Sequence, residues 1–297
     1  MASRSQRRAA QTEQRAAKAE RELGGAALVA TLVFVRHGET DYNRERRLQG
    51  QRDVTLNERG ASGRRRHRQS RIRCCPRRRR LCRSPSKHLA PPVPRRVRAG
   101  REQAAVLGAA LAATPLAAIY SSDLSRARET AAAVAAAQPG GPVAVVELAA
   151  LRERALGVLE GLTDAEAAAQ QPAAWRSLLR HGGGGAATME PLEGGVESTA
   201  AMAARVAAAL GDIARRHAPR GEAVAVVSHG GALSVAYAHI AGRPFGGSLH
   251  NCCIGVARSD GGRRWSVQRW NDTSHLQPAA ASGGAGADGF GGGAAGG

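Results

Sequence analysis

Two short apolar runs in this chain end alike, in Val35-Arg36-His37-Gly38 and Val227-Ser228-His229-Gly230. In open α/β sheets, ligands bind beyond the carboxyl ends of the strands. A histidine beside an arginine at such an end is placed for chemistry on an anion, and Gly38 lets the backbone come close to a ligand. A third run, Ala117-Ala118-Ile119-Tyr120, is followed by Arg126. If the three strands are neighbours, two imidazoles and two guanidiniums converge at one sheet edge. Arginine pairs match phosphate oxygens and neutralise their charge. An imidazole can attack phosphorus and split the transfer into two easier steps. The leaving alkoxide then needs a proton from a nearby carboxyl group. Glu153 is the candidate, with Glu160 and Glu147 close by in sequence. A lone Arg-His-Gly reads equally well as a solvated turn; the weight comes from finding the partners together.

The elements that must carry these residues alternate. Residues 26–35 read as a buried strand, as do 117–120, 143–148 and 222–227, each short, apolar and bounded by turn residues. Asn57 is a good N-cap with Glu58 in the first turn, so a helix should begin there. Alanine-rich helices follow Arg126 and Thr163, a long one spans about Thr199 to His217, and another spans Ala232 to Ile240. Residues 253–258 and 265–270 read as two late antiparallel strands. The pattern predicts an α/β fold, a three-layer helix–sheet–helix sandwich around a mostly parallel central sheet.

The charge is uneven. The chain of 297 residues has a formal net charge of +19. Residues 61–100 hold 15 Lys and Arg and no Asp or Glu, so the remainder carries only +4 (19 − 15). A block of one sign with no apolar period cannot bury a core and reads as disordered. It falls just after the Asn57 cap, and deleting it would join Asn57-Glu58-Arg59-Gly60 to Arg101-Glu102-Gln103 as one amphipathic helix. Its 40 codons would be 120 nucleotides, a length that keeps the reading frame of a translated intron. As a real loop it would cost roughly 3 kcal/mol to close. Cys74, Cys75 and Cys82 in the block, flanked by His67 and His88, lack a complete zinc-ligand set of plausible spacing. Five cysteines, this clustered, do not make a disulfide framework, so a reducing compartment is the default.

Residues 1–25 form a charged N-terminal extension whose Glu13, Glu20 and Glu22 argue against a transit peptide. Residues 278–297 are a Gly/Ala-rich flexible tail. No apolar run reaches the ~18–20 residues that span a bilayer. The expected location is cytoplasmic, with a chloroplast or mitochondrion as the alternative through the extension.

The motifs together resemble the histidine phosphatase superfamily in its phosphoglycerate-mutase-like branch. The matching stretches occur in the family's order: Arg36-His37-Gly38-Glu39-Thr40-Asp41-Tyr42-Asn43, Leu48-Gln49-Gly50, Asp53 to Gly60, Tyr120 to Ala127, Leu151-Arg152-Glu153, Glu197-Ser198 and Val227 to Gly231. The resemblance implies that His37 is the phosphorylated nucleophile and that Arg36, Arg126 and His229 bind the transferring phosphoryl group. It also implies that Asn43 and the Gly230 amide line the pocket, that Gln49 and Gly50 contact substrate, and that Glu153 exchanges the proton. It implies no metal and no cofactor, the positive charge coming from side chains.

The sequence departs from the family in the 61–100 block and in Val196, an added residue inside a Gly-Gly-Glu-Ser stretch. Glu153 and His229 stand 76 positions apart (153 to 229). The longer, arginine-bearing insertion of glycolytic mutases is missing between them. The expected function is therefore a phosphomonoesterase acting on a small phosphorylated metabolite, with phosphoglycerate-mutase-type transfer as the alternative. The rival of another class is an inactive fold that binds nucleic acid through residues 61–100. No membrane partner is expected, and the sequence leaves the oligomeric state open.

Overall fold

The computed structural model describes residues 28–58, 99–182 and 188–277. Expectations for 1–25, 278–297 and most of 61–100 therefore lie outside the described residues. The strands are β1 (Ala30–Arg36), β2 (Ala118–Ser121), β3 (Val145–Glu147), β4 (Ala223–Ser228), β5 (Ile254–Ser259) and β6 (Trp265–Asp272). The α-helices are α1 (Asp41–Glu45), α2 (Gly100–Leu111), α3 (Ser125–Ala136), α4 (Asp164–Gln170), α5 (Pro172–Gly182), α6 (Thr199–His217) and α7 (Gly230–Ala241). The six strands form one sheet in the order β3-β2-β4-β1-β5-β6. β1 to β4 run parallel, and β5 and β6 run antiparallel, as their late position in the chain predicts.

Side-chain alternation along the strands builds the layers. Leu32 and Phe34 of β1 join Val224 and Val226 of β4 in a core that includes Leu210 and Ile213 of α6 and Leu233 of α7. The intervening Val33 and Val35 join Ala225 and Val227 in the opposite core with Leu107 and Leu111 of α2 and Val134 of α3. Each of the larger side chains among these contributes about 1.5–3 kcal/mol on burial. A β1 slipped by one residue would exchange the two cores, so packing fixes its register. In that register Arg36 pairs with Ser228, and His37 and His229 follow side by side from the ends of adjacent parallel strands.

The helix expected at Asn57 is present but starts elsewhere. Residues 52–58 are irregular, and the helix begins at Gly100. Asn57 nonetheless caps it. The Gly100 amide donates to Asn57 Oδ1 at 2.6 Å, and the Arg101 amide donates to the Asn57 carbonyl at 3.3 Å. Arg101 also pairs with Glu58 at 2.7 Å. With Gly60 and Gly100 merged into one residue, these become the side-chain cap and the first i→i−4 bond of a single helix. Ala99, directly before α2, offers no side-chain cap. Gly100 packs so closely that a Cβ there would lie 2.0 Å from the Glu39 carbonyl oxygen, next to His37 and Gly38.

Val196 is fully buried in a small cluster with Leu156, Leu159 and Ala174. Cys252 and Cys253 are free and buried, and burial pushes the Cys253 thiol up to about 11, as suits packing residues. Among the described residues no helix is long and apolar enough to cross a membrane.

Candidate active site

His37 is buried immediately after β1. Its Nδ1 lies 2.7 Å from the Gly38 carbonyl oxygen. A carbonyl only accepts, so Nδ1 carries the hydrogen and Nε2 holds a lone pair. His229 has the opposite tautomer. Arg126 Nε donates to its Nδ1 at 3.2 Å, which leaves the hydrogen on Nε2. That Nε2 is buried with no partner among the described residues. The ring centroids are 5.1 Å apart. Burial holds both imidazoles well below their usual pKa, and the charges of Arg126 and Arg36 add to the effect. The pair therefore offers one neutral nucleophilic nitrogen beside one N–H donor.

Arg126 is fully buried in the first turn of α3. Its Nη1 donates to the Arg52 carbonyl and its Nη2 to the Gly50 carbonyl, both at 2.8 Å. Burial pulls its pKa down to about 10, against the opposing pull of Glu153, so it remains a cation at neutral pH. Asp53 fixes the start of α3 by accepting from the Ser125 amide at 2.7 Å and hydroxyl at 2.8 Å. Arg36 donates Nη1 to the Leu249 carbonyl, and its buried Nε has no partner among the described residues. Burial lowers its pKa too, countered by Glu153 and the two cysteine thiols.

Glu153 belongs to this cluster at the start of α7, Glu160 acts on Arg126 from behind Gly50, and Glu147 lies apart. Glu153 Oε1 accepts from the Arg154 amide at 2.8 Å and the Ala232 amide at 3.2 Å, and its Oε2 from the Gly231 amide at 2.9 Å. Gly231 and Ala232 open α7 just after His229, so one helix start holds the carboxyl near the second histidine. A Cβ on Gly231 would lie 2.4 Å from Glu153 Oε1, which is why glycine stands there. Gly230 lies between Arg36 and Glu153: a Cβ there would be 3.5 Å from Arg36 Nε and 3.9 Å from Glu153 Oε2. Glu160 is engaged by the Gln51 and Leu156 amides, and Glu147 sits on the exposed edge strand beside Arg128.

The remaining candidates take different parts. Asn43 Oδ1 accepts from the Thr40 amide and from Asn251 Nδ2, both at 3.2 Å, which fixes the orientation of the Asn43 amide. Gln49 Oε1 accepts from the Thr40 hydroxyl at 3.0 Å. Gly50 supports Arg126 with its carbonyl and has φ +54, where a Cβ would strike Glu160. Sequence reasoning missed Asn251, which donates to the His37 carbonyl at 2.9 Å, as well as Asp53 and Arg154, whose buried Nη2 has no partner among the described residues. An asparagine placed just before two buried cysteines was the available signal for the first. Among the described residues no group of three His, Cys, Asp or Glu could hold a metal ion.

The arrangement sets two cations, a nucleophilic imidazole, a donor imidazole and a carboxyl at one sheet edge, which suits phosphoryl transfer. Comparison with known proteins agrees. The family model described as histidine phosphatase superfamily (branch 1) matches residues 32–71 and 97–273, and this chain belongs to that superfamily. The unmatched gap falls inside the basic block. The chain is 32% identical over 252 residues to phosphoglycerate mutase-like protein 4 of Arabidopsis thaliana, covering 84% of this chain and 87% of that one. It is likewise 32% identical over 250 residues to a metal-independent phosphoserine phosphatase of the same plant, covering 84% of each. Among solved structures, YhfR of Bacillus stearothermophilus matches with a TM-score of 0.61 at 27% identity, over 84% of this chain and all of that one. The chain is thus a histidine phosphatase of phosphoglycerate-mutase-like fold.

Proposed function

We propose that the protein hydrolyses a small phosphomonoester, without a metal, through a phosphohistidine on His37. The observation that carries this reading is the pair of complementary tautomers: His37 Nε2 has a lone pair to give, and His229 Nε2–H has no partner among the described residues. In the first step His37 Nε2 bonds to phosphorus as the ester P–O bond breaks, and Glu153 passes its proton to the departing alkoxide. In the second, Glu153 takes a proton from water, the water oxygen bonds to phosphorus, and the N–P bond breaks to release inorganic phosphate. Arg36, Arg126 and His229 Nε2–H stabilise the equatorial oxygens in both steps. Asn43 and the Gly230 amide complete the phosphate pocket. Gln49 and Gly50 act at its rim, Gly50 by supporting Arg126.

The substrate is a small phosphorylated metabolite, and phosphoserine, named for one relative, heads the panel to test. The span between Glu153 and His229 favours hydrolysis over mutase transfer, so phosphate release from phosphoserine or 3-phosphoglycerate should outpace formation of 2-phosphoglycerate. We further propose that residues 26–277 are one phosphatase domain interrupted by 61–100, with α2 as the interrupted helix. The 15 cations of that block support a second reading, nucleic-acid binding on an inactive fold. Hydrolysis of a generic phosphomonoester in EDTA separates the two. Activity that His37→Ala abolishes supports the enzyme, whereas an inactive wild type with tight, salt-sensitive RNA binding supports the rival.

A further inference from the structure

The loop that carries Glu153 has no ladder of its own, since residues 152–156 lie in neither helix nor strand. Arg205, in the second turn of α6, holds it. A guanidinium has five N–H donors, and each of these has an acceptor. Nε donates to Glu197 Oε1 at 2.7 Å, and Nη2 donates to Glu197 Oε2 at 2.8 Å and to the Glu153 carbonyl at 2.9 Å. Nη1 donates to the Ala150 and Arg152 carbonyls, both at 2.8 Å. Glu197 grips the same loop from its other end. Its backbone N–H donates to the Ala155 carbonyl at 2.8 Å, its Oε2 accepts from the Ala155 amide at 3.1 Å, and its carbonyl accepts from Arg154 Nε at 2.7 Å. Ser198, the next residue, caps α6 through the Ala201 amide at 3.1 Å, so the pair is anchored to the start of a 19-residue helix.

Side-chain exposures of 22% for Arg205 and 16% for Glu197 set this pair apart from an ordinary surface ion pair. Such pairs contribute about 0–1 kcal/mol when exposed. Here the fork is bidentate and its remaining donors all go to backbone carbonyls at and before Glu153, while Glu197 holds Arg154 and Ala155 just after it. The pair therefore constrains the position of one particular residue.

We propose that Glu197 and Arg205 are positioning residues for Glu153: they set where its carboxyl stands relative to the oxygen leaving phosphorus. The inference rests on the reading of Glu153 as the proton donor. In that step the proton passes from the Glu153 carboxyl to the ester oxygen as the P–O bond breaks and the His37 N–P bond forms. How much the step needs that proton depends on the leaving group. A dinitrophenolate departs unprotonated, whereas an alkoxide does not. A displaced acid therefore penalises alkyl esters selectively.

The test uses full-length Arg205→Lys and Glu197→Gln with two substrates, 2,4-dinitrophenyl phosphate and O-phosphoserine. The readout is the ratio of kcat/KM for the alkyl ester to that for the aryl ester within one preparation. A ratio cancels any difference in folded fraction, so partial unfolding does not obscure the result. Glu153→Gln serves as the reference and should lower the ratio by about 10²–10⁴, the usual worth of general acid catalysis. The two positioning variants should lower it by about tenfold or more. Equal losses on both esters would make the pair a structural prop and overturn the inference while leaving the acid reading intact. Equal losses on both esters in Glu153→Gln would remove the acid reading and the inference with it.

Discussion

At the residue scale, the account turns on two imidazoles kept neutral in different tautomers. Burial and two guanidinium charges hold His37 and His229 well below the ordinary imidazole range. His37 therefore stays unprotonated on acidification, and if it is the nucleophile proposed above, the acid limb of kcat/KM should lie well below pH 6.5. A limb at about 6.5 would mean that an ordinary exposed histidine controls the rate. Arg126 makes a second prediction. Its fork reaches His229 and the carbonyls of Arg52 and Gly50 together, which a lysine ammonium cannot do. Arg126→Lys should cost about 10²–10³ in kcat/KM and about 1–3 kcal/mol of stability, through carbonyls left unpaired in a buried place. Loss of KM alone, with kcat intact, would show that Arg126 serves binding only.

At the element scale, the feature that most needs testing is α2. Its cap, Asn57, comes from before the basic block, and its first residue, Gly100, is the last residue of that block. Asn57 Nδ2 also donates to Glu39 Oε1 at 2.8 Å and the Asn57 amide to the Glu39 carbonyl at 3.0 Å, tying the cap to the residue two positions after His37. Asn57→Ala should therefore destabilise by about 1–2 kcal/mol and lower activity, read by thermal melting and turnover. A chain lacking residues 61–100, joined Gly60 to Arg101, should keep its activity and melt higher, since roughly 3 kcal/mol of loop closure disappears. Failure of that chain to fold would show that the block belongs to the structure. Sequencing the mature transcript tests the origin of the block: retained codons would end the intron reading.

At the scale of the whole molecule, the parallel strands were legible because each is a short, mostly apolar run, and the sheet because strands alternate with helices. The convergence of Arg36, His37, Arg126 and His229 followed from placing the histidines at two strand ends and Arg126 just after a third, whereas Glu153 was chosen only as a carboxyl near in sequence. What stayed hidden depends on distant partners. Asp53 on Ser125, Asn251 on Asn43 and Arg205 on the Glu153 loop join segments that no periodicity links. The tautomers rest on single contacts to Gly38 and Arg126. The five-residue α1 passed unnoticed, although Thr40 and Asn43 form its capping box. The buried histidines also make a prediction for the molecule as a whole. An unfolded chain takes up protons near pH 6.5 that the two folded rings refuse, so it binds more protons than the native state below that pH. Stability must then fall as pH drops from 6.5 to 5, by up to about 1.4 kcal/mol per pH unit for each ring. His37→Gln and His229→Gln should each flatten that slope in melting curves, and an unchanged slope would place the titration elsewhere. The most direct test of the central claim is rapid-quench mass spectrometry of the enzyme turning over a dinitrophenyl phosphate. The account predicts an acid-labile, base-stable phosphoryl group on His37, formed at the rate of the phenolate burst and lost in His37→Ala. Full turnover with no adduct, or with the adduct on another residue, would contradict it.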